Sequence, residues 1–419
     1  MQRKSFLRKI TDTVRTIISL ALEEYRVIFH DSGVFIIFIA ATLIYPLLYG
    51  YIYKNELLRN VPVAVVDNSN SQRSRNFIRQ LNATPEINIV ATYANVDEAK
   101  QAFQRHTIHG IVYISKDFDD KINQHEQATV SIYSDMSSFL YYRSMMIACN
   151  YTALKIGKNI QIERANAEGV VGEQAEINVQ PIQYEENIFY NPGTGFASFL
   201  MPALLILMIH QTLFFGIGML AGTAREENKF HLLVPQDNMH SSLYKVILGK
   251  TLCYFTLYMV VSAYILGFAP RLFNLPHIGN PNDLILFVIP FLFATIFFSM
   301  TISVFVKNRE TGLVTFLFFS VILLFLSGFS WPRSNISPFW LAFSWVFPAV
   351  HGIQGYIKIN TMGAGIHQLN LEVVSLWGQA GFYFITTLIV YRLQIRNSKS
   401  RAQAEQEEQD NFTNDIITE

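Results

Sequence analysis

FASFLMPALLILMIHQTLFFGIGMLAG, residues 196–222, runs for 27 residues without an aspartate, glutamate, lysine or arginine. A helix rising about 1.5 Å per residue needs about 20 such residues to cross a hydrocarbon layer of about 30 Å. Helix is also the conformation the chain must take there, because lipid offers no partner to backbone N–H and C=O groups. Working outward from this stretch, five further runs have the same character: 33–53, 247–268, 284–306, 311–330 and 373–391. Lys250 is the only Asp, Glu, Lys or Arg within any of the six, and it sits where a long side chain can snorkel to the interface. The expected fold is therefore a membrane all-α protein with six transmembrane helices and one inserted α/β domain. Composition agrees: 51% of residues are hydrophobic and only 15% charged, against about 25% charged in soluble domains.

Orientation follows from the basic residues of the flanks. Arg15 and Arg26, then Arg225, Lys229 and Lys245, then Lys307 and Arg309, and finally Arg392, Arg396, Lys399 and Arg401 all fall on one side of the six runs. The opposite short loops carry Arg271, Arg333 and Lys358 alone. The positive-inside rule places the richer side, with both termini, in the cytoplasm. Residues 1–32 are a cytoplasmic N-terminus; with no small-residue cleavage site after 33–53, that run reads as a retained anchor. Val14, Ile17, Ile18, Ala21, Tyr25 and Ile28 recur at helical period, so 11–30 reads as an amphipathic helix along the inner interface, or alternatively as an extension of the first span. The end of the chain, 392–419, is a cytoplasmic acidic tail, its last 18 residues expected to be without structure.

Between the first two spans lies a polar insertion, 54–195. Val61–Asp67, Ile87–Tyr93, Gly110–Ser115 and Thr129–Asp135 read as β-branched strands, 70–82 and 96–106 as helices between them, and 137–168 as a long returning helix. This alternation predicts an extracytoplasmic α/β domain with a mixed sheet.

Chemistry-bearing patterns are few. Gly249-Lys250-Thr251 has the end of a phosphate-binding loop but Tyr244 where that loop needs a glycine, so it reads as a helix start. His210 and Gln211 lie inside a span; they are candidates for a substrate pathway or for a helix-to-helix hydrogen bond. The lack of intramembrane carboxylates argues against proton- or sodium-coupled transport. Phenylalanines such as Phe291 and Phe298 serve equally as packing or as the lining of a path for a greasy substrate. His106 and His109 form a metal-capable pair with no evident third ligand, and read as surface histidines; Cys149 and Cys253 fall on different sides of the apolar boundary and make neither a mutual disulfide nor a metal site. No hydrolytic motif is present and the charges balance at 32 each, so no nucleic-acid partner and no catalytic, metal or cofactor site is expected in this chain.

One span, a large external insertion and five more spans resemble the ABC-2 type transporter permeases, in the branch whose first two transmembrane helices bracket an extracellular domain. The resemblance is carried by Val63-Ala64-Val65-Val66-Asp67, Val96-Asp97-Glu98-Ala99 and Gly110-Ile111-Val112-Tyr113-Ile114 in the insertion; by Ala224-Arg225-Glu226-Glu227 through Pro235 to Gly249-Lys250; and by Gly328-Phe329, Pro332, Pro338, Trp340, Pro348, His351 and Gly352. Asn228-Lys229-Phe230-His231 departs from the family's usual Gly-Thr pair and acidic residue. The resemblance implies a half-transporter pairing with a second permease chain, identical or not, and moving an amphipathic or hydrophobic substrate outward. ATP and Mg would be bound by a separate ABC ATPase subunit, and a periplasmic adaptor is a further possible partner. It makes Arg225, Glu226, Glu227 and Pro235 of a cytoplasmic coupling loop, 223–246, the ATPase-contact candidates. Gly328, Pro332, Pro348 and His351 become candidates of an external re-entrant segment, 331–372, within the 196–391 membrane region. A bacterial inner membrane is the implied location. A different class, an energy-independent scaffold or receptor acting through the outer domain, is separated from this by whether an ATPase accompanies the chain.

Overall fold

In the computed structural model, residues 2–183, 185–233, 239–311 and 322–418 are described. The chain divides into two compact units, Asn55–Ile188 and the remainder, Met1–Lys54 with Phe189–Glu419.

In the larger unit, α1 (Gln2–His30) precedes α2 (Ser32–Ile52), and after the insertion come α8 (Phe196–Glu226), α9 (Leu243–Leu272, its helix opening at Met239) and α10 (Pro281–Phe305). Two short helices, α11 (Pro338–Ser344) and α12 (Pro348–Asn360), lead to α13 (Asn370–Thr418). Five of these helices, α2, α8, α9, α10 and α13, are long and apolar enough to cross a membrane. The sixth expected run, 311–330, falls largely on 312–321, outside the described residues; 322–326 are helical. α8 is apolar on every face and buries residues from Ala197 to Gly222, which makes it the central post of the unit. By contrast, α2 and α13 expose Leu43, Leu47, Leu48, Phe382, Ile385 and Ile389, surfaces suited to lipid rather than water. Prolines at 46, 202 and 290 are tolerated inside these helices, and the π-helical stretches Ile36–Ala41 and Ala263–Phe268 each come just before a proline, where the missing N–H already interrupts the regular ladder. Gly352 and Gly355 let α12 lie against Phe291 and Phe287 of α10, because a Cβ at either position would meet those rings.

The smaller unit is a four-stranded sheet in the order β2-β1-β3-β4, with β1 (Val61–Asp67), β2 (Ile87–Thr92), β3 (Gly110–Ile114) and β4 (Val130–Ser134). β1 pairs in parallel with β2 and β3, and β4 runs antiparallel to β3. As the parallel pairs require, helices connect their strands: α3 (Gln72–Asn82) and α4 (Val96–Gln104). α5 (Phe118–Asn123) and α6 (Phe139–Ala167) follow, then α7 (Glu173–Val179). Val63 and Val65 of β1 pack with Phe77, Leu81, Met145 and Cys149 on one face; Ala64 and Val66 pack with Ala99, Ala102 and Ile111 on the other. Burial on both faces explains why β1 is a continuous apolar run rather than an alternating one. Asp67 shapes the turn into α3, accepting from Ser69 N, Asn70 N and Ser74 Oγ at 3.0, 3.1 and 2.6 Å. Asn95 and Glu98 form a reciprocal cap on α4 at 2.8 and 3.0 Å.

One expectation is overturned. The acidic end of the chain continues α13 as helix to Thr418. After Tyr391 no glycine or proline interrupts the chain, and its Ala, Gln and Glu residues are strong helix formers. Extension of an existing helix also escapes the cost of nucleation.

Candidate functional site

Three segments converge at the end of α8. Arg225, in its last turn, donates to the carbonyls of Val306 and, at 3.4 Å, Ser303. Ser303 also accepts from Val306 N at 3.1 Å, while the Val306 carbonyl lies just past the end of α10, so the guanidinium serves as a cap on a neighbouring helix. The Phe230 ring lies 5.9 Å from the same guanidinium. Glu226 Oε1 accepts from the Arg309 backbone N at 3.3 Å, and Glu227 pairs with Lys229 at 2.5 Å, both partners about half exposed. Gly222 allows this contact, since a Cβ there would come within 2.9 Å of backbone atoms of Asn308 and Arg309.

Arg309 continues the link to the start of α2. Its Nη1 and Nη2 donate to Asp31 Oδ2 and Oδ1 at 2.7 and 2.6 Å, a bidentate pair. Asp31 Oδ1 also accepts from Gly33 N and Val34 N at 3.0 and 3.1 Å, capping α2. The Arg309 hydrogen bonds, ahead of those from the backbone and against the effect of burial, hold the Asp31 carboxyl below the usual carboxylate range; Asp31 in turn raises Arg309.

α1 packs along the first half of α9. Gly249 makes the approach possible: a Cβ there would meet Leu20 Cβ at 2.6 Å and the Ile17 carbonyl at 3.1 Å. One turn of α9 carries Lys250 and Tyr254, and both reach Glu24, Lys250 Nζ donating to Oε2 at 2.5 Å and Tyr254 OH to Oε1. Glu24 is 7% exposed and Lys250 16%. Lys250, expected to snorkel, is instead held by a buried carboxylate, because α1 covers it on the side where water would be. The Gly-Lys pair thus has a packing meaning: glycine for close approach, lysine for Glu24.

Within the helices His210 is buried between Phe214 and Phe298, with ring centroids 6.4 and 5.6 Å away. Among the described residues neither of its nitrogens has a hydrogen-bond partner, so the expected helix-to-helix bond is not found there. Gln211 is partly buried beside it in the same helix. Phe298 stands edge-on to Phe347 and Tyr383, which extends the aromatic cluster toward α12 and α13. His351, in the first turn of α12, meets Trp345 edge-on at 4.9 Å. Pro348 opens that helix, Pro332 precedes a short 3₁₀ turn, and Gly328 holds φ +78°, its missing Cβ leaving room for Arg333. Gln354 donates to the Ser327 carbonyl at 2.5 Å, fastening this segment onto α12.

The sequence profile described as ABC-2 family transporter protein matches residues 32–389, the whole stretch from the Asp31 cap to the middle of α13. The chain belongs to the ABC-2 transporter family. It is accordingly a multi-pass membrane protein and a permease component of an ABC transporter. No curated protein matches the chain. Of the ABC-2 coupling candidates, Arg225 is turned inward as a cap, Glu226 is pinned to Arg309, Glu227 stays at the surface, and Pro235 lies outside the described residues. Glu24, Asp31 and Arg309 were not singled out by sequence. One signal for Glu24 was available: positions 17, 21, 24 and 28 form a single stripe on α1, and Glu24 is the only carboxylate on it.

Glu24→Ala leaves the Lys250 ammonium buried without its partner and costs about 3–5 kcal/mol. Thermal unfolding in detergent should show the loss for the single variant, and recovery of most of it in Glu24→Ala/Lys250→Met. For Asp31 the depressed folded value means that its contribution is complete above the unfolded carboxylate value, about pH 4. It is lost as pH falls through the lowered value. The stability gap between wild type and Asp31→Asn should therefore be constant from pH 8 to 5 and shrink below about pH 4.

Proposed function

We propose that this chain is the transmembrane half of an ATP-driven exporter, paired with a second permease chain and driven by an ABC ATPase that binds Mg and ATP on its cytoplasmic side. The observation that carries the reading is the convergence of α1, the end of α8 and the segment after α10 on two ion pairs, Glu24–Lys250 and Asp31–Arg309. A push on any one of these elements moves the ends of the others. Glu227 and Lys229 stand exposed beside this junction. Next to them a cleft of about 580 Å³ is lined by Arg225, Lys307, Gln394 and Arg401, a surface suited to an acidic side chain from an ATPase. α1 also leaves Val14, Ile18, Leu22 and Phe29 exposed, an apolar strip that suits the inner leaflet.

Six crossings agree with where the ends lie. Arg309 sits by Thr223 in the last turns of α8, whereas Phe329 stacks on Phe199 in its first turn, centroids 4.6 Å apart. Those two levels are separated by about 36 Å along α8. These two positions support a sixth crossing by the apolar run 311–330. With both termini on the basic, cytoplasmic side, the α/β unit lies outside, which in a bacterial inner membrane is the periplasm, where an adaptor would meet it. The aromatic cluster of Phe298, Phe347 and Tyr383 around His210 offers an amphipathic or hydrophobic substrate stacking surfaces but no charge.

Purification of the chain from its native host in mild detergent should recover a P-loop ATPase in stoichiometric amount. Glu226→Lys/Glu227→Lys should leave the chain folded and uncouple ATP hydrolysis from transport, and unchanged coupling in that variant would count against a role for these two carboxylates in the ATPase contact. Repeated recovery of an intact chain without any ATPase would favour the scaffold or receptor instead.

A further inference from the structure

The α/β unit brings Asp135 to the pair His106 and His109, from which the sequence keeps it apart. β3 and β4 pair antiparallel with Gly110 opposite Ser134, so the next positions outward, His109 and Asp135, face each other across the ladder. Asp135 N donates to the His109 carbonyl at 3.0 Å, and His109 Nδ1 lies 3.1 Å from Asp135 Oδ2. The third group is His106, in the turn between α4 and β3. The candidate ligand atoms of His106, His109 and Asp135 all lie within 4.8 Å of one another.

We propose that His106, His109 and Asp135 form a binding site for a divalent transition metal of the zinc class, with a fourth position open to solvent. The proposal stands on the geometry of this unit and is independent of the exporter reading. Zinc takes nitrogen and carboxylate ligands at about 2.0–2.2 Å in a tetrahedron, which sets its ligand atoms about 3.3 Å apart. The His109–Asp135 separation of 3.1 Å already has nearly that value. Only His106 must close in, and its exposed side chain is free to do so.

The supporting groups are in place. The Tyr141 ring stacks on His109, centroids 3.8 Å apart and planes 7° from parallel, which fixes the imidazole. Ser137 N and Oγ donate to Asp135 Oδ1 at 2.9 and 2.6 Å, leaving Oδ2 directed at the site. Oriented ligands with hydrogen-bonded carboxylates are what a metal site requires beyond the ligands themselves.

His106 occupies an unusual backbone position for its type. It follows the end of α4 at φ 55°, and Thr107 N donates back to the Ala102 carbonyl at 3.2 Å, the helix ending in which glycine is the usual residue. His106→Gly therefore removes the ligand while easing the backbone, and separates ligand loss from misfolding.

The test is titration of the full-length, tag-free protein in detergent with zinc chloride by calorimetry, with cobalt(II) absorption as a second readout. Wild type should bind one equivalent per chain, raise its unfolding temperature in zinc, and give visible cobalt bands of a nitrogen–oxygen site. His106→Gly and His109→Ala should each weaken zinc at least about tenfold, His106→Gly without a lower unfolding temperature in the absence of metal. No stoichiometric binding to wild type, or binding that both variants retain at full strength, overturns the proposal.

Discussion

Asp31 and Arg309 meet in a bidentate ion pair at the threshold of the first span, and this end of the helical unit is organised around it. The carboxylate caps α2 with one oxygen while both oxygens take the guanidinium, and the arginine's own backbone N–H is taken by Glu226 at the end of α8. The pair is partly buried, and its value lies in position as well as in stability. It fixes Arg309, just after α10, against the start of α2 and the end of α8. Gly33 and Gly222 are part of the same arrangement, since a side chain at either would displace Arg309.

Glu24 and Lys250 repeat the logic at greater depth. Two charges and a tyrosine hydroxyl are removed from water together, and each satisfies another. Such a group adds little net stability compared with a well-packed apolar one, yet breaking it is costly. It thereby ties α1 to α9 at one position, with Glu24 rather than its exposed neighbour Glu23 held against Lys250.

How much of this could be read beforehand follows from range. Hydrophobic length is a local property, and it located the five described membrane helices, the four strands and the helices between them within a few residues. Asp67 and Asn95 were legible in kind, being short polar residues just before helical runs. What escaped depended on partners far along the chain: Glu24 with Lys250, Asp31 with Arg309, and Asp135 beside His109, the last visible only once β3 and β4 have a register. Arg225 was picked out for its residue type and its loop, but its inward turn depends on the Val306 and Ser303 carbonyls at the end of α10, 81 and 78 residues further on, which no local pattern announces. The helical end of the chain was misjudged for a related reason: acidic composition was weighed above intrinsic propensity and above the long helix already formed upstream.

That helix has a mechanical consequence. From Asn370 to Thr418, α13 is 49 residues of unbroken helix, about 73 Å at about 1.5 Å per residue. Roughly half of it lies beyond Tyr391, outside the apolar run, while its other half is wedged between α10 and α12. A rod gripped at one end amplifies. Ser398 still donates to Asn228 at 2.7 Å and Ile395 is buried, so the free arm starts after Ser398: about 20 residues, or about 30 Å, over which a tilt of about 10° sweeps the tip through about 5 Å. The C-terminal helix is thus a lever whose fulcrum is the membrane region and whose tip reports, or imposes, small rotations of the spans.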